Sequence, residues 1–223
     1  MCKQTAPIYR GCFCREELAF GAPSQYNVPT KMATTQIIGL SGTNGSGKDT
    51  VGRLLAQKHN YFFISVTDLL REELKLRGKT TERHNMRDLS AEWRRTYGLA
   101  VLVDRALKTY NELPQKYEGL VMASLRNPFE ADRVHELGGT VVWVDADPEV
   151  RYQRVRNNNR GRTDDDKTFE QFLAEEQAEM HASGDAATLD MSAVKQRADV
   201  VIVNDTPSLE TLEQAIEDAL HVA

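Results

Sequence analysis

Cysteine is nearly missing from this 223-residue chain: Cys2, Cys12 and Cys14 all fall at the very start and the remainder has none. That excludes a disulfide framework and fits a reducing, cytoplasmic setting. The spacing in Cys12-Phe13-Cys14 is wrong for a zinc knuckle and no second ligand pair follows. The five histidines show no metal spacing either. No apolar run approaches the roughly 18 residues of a membrane span. A basic excess is also lacking. With 28 Lys and Arg against 33 Asp and Glu, the net charge of −5 is not the footprint of a nucleic-acid binder. Internal repeats and low-complexity tracts are absent. What is left is a chain 40% hydrophobic, enough for one core with a small inserted subdomain. The expected partner is a small molecule rather than nucleic acid or membrane, and the expected state is a monomer or homodimer.

Residues 1–31 carry Pro7, Pro23, Pro29, Gly11 and Gly21 without sustained periodicity. They are expected to form a disordered N-terminal extension. Glu16 and Glu17 argue against a transit peptide, and no apolar h-region argues for a signal. The folded domain is expected over 32–223.

Short apolar runs rich in Val and Ile recur at 35–40, 61–66, 120–124, 140–144 and 200–203. They have the composition of strands buried on both faces. Helical segments alternate with them, which implies right-handed βαβ units and a parallel sheet. The helical stretch from about 83 to 110 has no strand partner and reads as an insertion, with Trp93 as a packing residue. Thr168 and Gln171 form a capping-box pattern. Pro207-Ser208 opens a last helix whose Leu209, Leu212, Ile216 and Leu220 share one face.

The chemistry begins directly after the first apolar run. Gly42-Thr43-Asn44-Gly45-Ser46-Gly47-Lys48-Asp49-Thr50 is a P-loop, in which glycines let successive backbone N–H groups converge on a phosphate. A helix starting inside the loop aims its positive end at the same point. Lys48 would reach the β- and γ-phosphates of a nucleoside triphosphate. The usual Ser/Thr directly after the lysine is Asp49, and Thr50 stands one step later.

Phe63-Ile64-Ser65-Val66-Thr67-Asp68-Leu69-Leu70-Arg71 resembles the second-strand region of adenylate kinase and other nucleoside-monophosphate kinases. The Lys48-Asp49-Thr50 variant is similar to that of deoxynucleoside-monophosphate kinases and their dephospho-coenzyme-A-kinase-like relatives. The resemblance implies an α/β P-loop NTPase three-layer fold: a five-stranded parallel sheet with helices on both faces, a helical acceptor-binding insertion (about 71–112) and a short lid (about 154–166).

It also implies ATP with Mg2+ as donor and a small-molecule phosphate acceptor. The acceptor would be a nucleoside or deoxynucleoside monophosphate, with dephospho-coenzyme A as an alternative. A nucleotide-binding regulator with little turnover is the alternative of another class. By resemblance Gly42, Asn44, Gly45, Ser46, Gly47, Lys48, Asp49 and Thr50 hold the nucleotide, Thr50 orders the metal shell, and Asn204 lies beside adenine. Ser65, Asp68, Arg71 and Arg126 serve the acceptor. Lys48 and Arg126, with lid arginines among Arg154, Arg156, Arg160 and Arg162 (Arg156 and Arg160 foremost), serve catalysis. The family's acidic residue at the end of the third strand falls on Ala123. Either Asp49 or Asp68 takes part of its duty, or catalysis is weak.

Overall fold

A computed structural model describes residues 36–114, 116–157, 167–181, 184–205 and 208–222, all within the unit Thr34–Ala223. In chain order the elements are β1 (Gln36–Ser41), α1 (Lys48–Lys58), β2 (Tyr61–Ser65), α2 (Val66–Leu76), α3 (Arg83–Tyr97), α4 (Val101–Asn111) and β3 (Gly119–Ala123). There follow α5 (Pro128–Glu136), β4 (Thr140–Asp145), α6 (Pro148–Asn157), α7 (Phe169–Met180), α8 (Met191–Gln196), β5 (Val200–Val203) and α9 (Leu209–Leu220).

The five strands form one sheet in the order β2-β3-β1-β4-β5, and every pairing is parallel. In register Leu40 and Ser65 both face Ala123, Ser41 faces Trp143, and Asp145 faces Val203. The C-terminal strand ends therefore share one edge, where an open α/β sheet places its ligand crevice.

Alternate strand residues bury on opposite faces because side chains reverse at each step along a strand. Ile38, Leu40, Val121, Val142, Val144 and Ile202 pack with Val51, Leu55, Leu212 and Ile216 of α1 and α9. Ile37, Leu120, Met122 and Val141 pack on the other face with residues of α4, α5 and α8. A third, smaller cluster ties α2, α3 and α4 through Leu70, Leu74, Leu89, Trp93 and Leu102. Trp93 is 2% exposed, a packing residue as its context implied.

Two expectations need correction. The helical stretch over 83–110 is two helices, because Gly98 at φ +107° ends α3 in a conformation that side-chain-bearing residues rarely adopt. The last strand is not buried on both faces. β5 is the sheet edge, and its Val201 and Val203 are 55% and 63% exposed. The capping box at Thr168 and Gln171 is formed, and Ser208 caps α9. Pro207 lies outside the described residues.

Candidate functional site

The loop between β1 and α1 is braced from two sides. Gly45 (φ +82°) lies against α6, where an added Cβ would meet the Arg151 carbonyl oxygen at 2.5 Å. Gly47 (φ +94°) lies against Asn204, whose Nδ2 an added Cβ would meet at 2.2 Å. Asn204 is buried and donates from Nδ2 to the Ser46 carbonyl at 2.9 Å. Its own carbonyl accepts from Arg154 Nη1 at 2.8 Å. The structure thus places Asn204 as a prop beneath the loop. Arg151, the other prop, is buried, donates to the Ala146 carbonyl and pairs with Glu176 of α7.

Lys48 is 8% exposed and its Nζ donates to the Thr43 carbonyl at 3.2 Å. Burial pulls its pKa down to about 8, against the pull of Asp49. Arg126, Glu179 and Arg83 act on the same ammonium, so those three charges stand within electrostatic reach of the P-loop. Thr43 Oγ1, Ser46 Oγ and Asp49 Oδ1 are buried with no hydrogen-bond partner among the described residues. Orphaned polar atoms are rare in folded interiors and call for a ligand or ordered water. Two hydroxyls, a carboxylate oxygen and a lysine around a glycine cradle fit a nucleotide phosphate with a hydrated divalent ion. No cluster of three or more metal-ligating side chains occurs among the described residues. An ion here would therefore be held largely by phosphate and water, the usual habit of magnesium.

Beside this loop lies a cleft of about 440 Å³, open mouth included. Its lining comprises Arg83, Arg87, Ser90 and Arg94 of α3, Val66 and Leu70 of α2, and Ser124, Arg126 and Glu179. A second cleft touches Thr43 and Asn44 of the P-loop and shares Arg83 and Glu179 with the first. The two therefore adjoin.

Arg126 is placed by a turn fixed on several sides. Ser124 adopts φ +73°, which turns the chain sharply at the end of β3. Leu125 N–H donates to the Leu40 carbonyl and Ser41 Oγ to the Leu125 carbonyl. Arg126 N–H donates to Glu130 Oε2 at 2.8 Å, and Asn127 caps α5 with Glu130 in a full capping box. A non-glycine residue at positive φ persists only where its surroundings hold it there.

Ser65 is buried at the start of α2. Asp68 and Arg71 pair with each other on the surface of α2, and neither lines the cleft. Thr50 is half-buried in the first turn of α1. Arg156 is exposed at the end of α6 with its guanidinium 5.7 Å from the Tyr152 ring. Arg160 and Arg162, the heart of the expected lid, lie outside the described residues. Ala123 is buried in β3, so no carboxylate stands at that strand end.

Sequence reading missed Arg83, Arg87, Arg94 and Glu179. The first three had a signal: with Ser90 they recur at steps of four, three and four, a single face of α3. Glu179 had none, since its partners lie far away along the chain.

Fold and site together define a P-loop kinase-type domain, a fold that implies nucleotide binding. The chain belongs to the AAA domain family, whose model matches residues 38–180. It is 32% identical to a UPF0200 protein of Pyrobaculum aerophilum over 82% of this chain and 96% of that protein. A UPF0200 protein of Pyrococcus abyssi is 31% identical over 81% and 93%. Shikimate kinase from Bacteroides thetaiotaomicron superposes with a TM-score of 0.54 at 18% identity, covering 82% of this chain and 95% of that one. TT1252 from Thermus thermophilus does so at 0.52 and 24%, covering 84% and 97%. At these identities the likeness to solved structures is one of fold. No helix among the described residues is long and apolar enough to cross a membrane.

Proposed function

We propose that this protein transfers the γ-phosphoryl group of ATP to a small acceptor that already bears a phosphate, a nucleoside or deoxynucleoside monophosphate. The observation that carries this reading is an arginine-walled cleft joined to the P-loop through Arg83 and Glu179. Guanidinium groups grip phosphate in a fixed fork and stay charged throughout a reaction. Lys48 and the loop amides hold the β- and γ-phosphates, while Thr50 and Asp49 face the metal shell. Magnesium, if bound beside Thr50 and Asp49, would offset the charge on the phosphates.

An oxygen of the acceptor phosphate forms the new bond to the γ-phosphorus as the bond to the β–γ bridging oxygen breaks, and that electron pair leaves on ADP. Arg83 lines both clefts and Arg126 the acceptor cleft beside it, and the two would stabilise charge spreading over the transferring group. A hydroxyl nucleophile needs a carboxylate to take its proton, whereas a phosphate monoester is largely ionised at neutral pH, its second pKa being about 6. A strand end without a carboxylate is compatible with an ionised nucleophile, but the nucleotide kinases this chain resembles carry an acidic residue there, so the arginine-lined cleft and not Ala123 carries the choice of a monophosphate.

The test is ATP consumption with magnesium against ribo- and deoxynucleoside monophosphates, dephospho-coenzyme A and shikimate. Turnover confined to monophosphates is expected. Turnover on either hydroxyl acceptor would overturn the choice of acceptor. Slow hydrolysis indifferent to all of them would mark a nucleotide-binding regulator instead of a kinase.

A further inference from the structure

The arginines of the acceptor cleft already hold an anion, and it belongs to the protein. Glu179 Oε2 accepts from Arg126 Nη1 at 2.7 Å. Its Oε1 accepts from Arg87 Nη2 at 3.0 Å and lies 3.4 Å from Arg83 Nε. The side chain is only 10% exposed. The three guanidiniums come from the start of α3, its next turn and the turn after β3, so one carboxylate gathers residues remote along the chain. Burial pushes the Glu179 carboxyl up, but Arg126, Arg83 and Arg87 together hold it at about 2, so it is ionised at any physiological pH.

Local chain physics does not favour a carboxylate there. Glu179 is the penultimate residue of α7, where the partial negative charge of a helix C-terminus repels an anion. Its neighbours on α7 are otherwise engaged: Glu175 with Arg83 and Lys167, Glu176 with Arg151. The arginine trio, not the helix, keeps Glu179 in place. A carboxylate presents two oxygens to guanidinium forks much as a phosphate monoester does. With Glu175 also paired to Arg83, two carboxylates face the three guanidiniums, which leaves one positive charge in excess.

We propose that Glu179 is an internal stand-in for the acceptor's phosphate: Arg83, Arg87 and Arg126 hold its carboxylate in the free protein and exchange it for the acceptor's phosphate on binding. This rests on the reading that the acceptor bears a phosphate. The carboxylate keeps the trio ordered and keeps casual anions out. It also weakens acceptor binding by the fraction of molecules in which the trio is occupied. Acceptor affinity is then set by an internal competition as well as by direct contacts.

The experiment is calorimetric titration of inorganic phosphate, without ATP, into the wild-type protein, Glu179→Gln and Glu179→Asp, with thermal melting to confirm folding. Glu179→Gln keeps the shape and removes the charge, and is expected to bind phosphate about tenfold tighter than wild type or better, in line with loss of charge-assisted competition. Glu179→Asp, which keeps the charge but shortens the reach, should fall between them and answers the question if the glutamine variant does not fold. Phosphate affinity unchanged or weakened in a folded variant would show that Glu179 only positions the arginines, and would overturn the proposal. Because the probe is phosphate and the readout is binding, the result stands apart from turnover. A gain in affinity with no turnover on any monophosphate defeats the kinase reading and leaves this one, and the converse pair of results does the opposite.

Discussion

Arg94 and Glu130 meet in the interior as a fork, with Arg94 Nη2 and Nε 2.7 and 3.1 Å from Glu130 Oε1 and side-chain exposures of 1% and 0%. The other carboxylate oxygen accepts the backbone N–H groups of Arg126 and Asn127. Arg94 Nη1 donates to Ser90 Oγ and the Ala187 carbonyl. One buried pair therefore ties α3, the turn carrying Arg126 and the segment before α8. Removing one partner leaves the other charge buried and unpaired, which costs about 3–5 kcal/mol. Glu130→Ala is expected to lower unfolding free energy by that order in urea titration, and Arg94→Met with Glu130→Leu by less than the sum of the single changes. A loss below about 1 kcal/mol for Glu130→Ala, against that expectation, would show that the pair does not organise the site.

Lys48 makes nucleotide binding depend on pH. Folded Lys48 releases its proton near pH 8 and the unfolded chain near 10.5. The buried ammonium therefore subtracts from stability below pH 8, and that penalty is relieved as pH rises from 8 to 10.5. Triphosphate favours the charged form, so above pH 8 binding must take up a proton and affinity should fall by up to about tenfold per pH unit. Calorimetry at a pH slightly above 8, in two buffers of different ionisation enthalpy, reads the uptake directly. Equal heats in both buffers would sink this assignment.

Arg126 and Arg71 should separate cleanly. Arg126→Ala is expected to raise KM for the acceptor tenfold or more, on the order of 1.4 kcal/mol or above, with KM for ATP little changed. Arg71 pairs with Asp68 on the surface, an arrangement worth about 0–1 kcal/mol, and Arg71→Ala should leave both constants within about twofold. Initial-rate kinetics decides. The reverse pattern would return Arg71 to the acceptor site and remove Arg126 from it.

Gly47 and Asn204 form a tight joint beneath the P-loop. Gly47→Ala sets a Cβ 2.2 Å from Asn204 Nδ2 at a φ of +94°, and nucleotide binding should be largely lost. Asn204→Ala removes the donor to the Ser46 carbonyl and should cost about 1–3 kcal/mol of stability, with weaker ATP binding. The double variant restores space but not the backbone penalty of about 1 kcal/mol or more, so it should recover only part of the affinity. Full recovery in a fluorescent-nucleotide titration would show that φ is unimportant.

Acid should loosen the arginine trio. Glu179 contributes stability that is fully present above about pH 4.5 and lost as pH falls toward 2. Its shift corresponds to about 3 kcal/mol at most. The stability gap between wild type and Glu179→Gln, followed by denaturant titration at a series of pH values, should close over that window. A gap constant with pH would mean the carboxylate is not held by the arginines.

Much of this molecule is legible along the chain because its causes are local. The glycine pattern around Lys48, the strand runs and the caps at Thr168 and Ser208 each act within a few residues, and each forms where the chain says it should. The break at Gly98 is equally local, but helical propensity on both sides masks it along the chain. The exposed face of β5 was not local: four residues of Val and Ile read alike in a central strand and at an edge, and only the strand order tells them apart.

The phosphate cradle, the parallel α/β sheet and the lack of a carboxylate at Ala123 follow from the chain alone, because glycine conformation, hydrophobic period and residue identity need no distant partner. Which arginines line the cleft was set by the tertiary fold. Arg71 and Arg87 are both helix arginines, and the stripe that Arg87 shares with Arg83 and Arg94 does not on its own say what it faces. One turns to Asp68 three residues away; the other meets Glu179 across 92 residues. Electrostatic environment is a property of neighbours in space, and here the neighbours that matter were brought together by the turn at Ser124, the buried Arg94–Glu130 pair and the docking of α7.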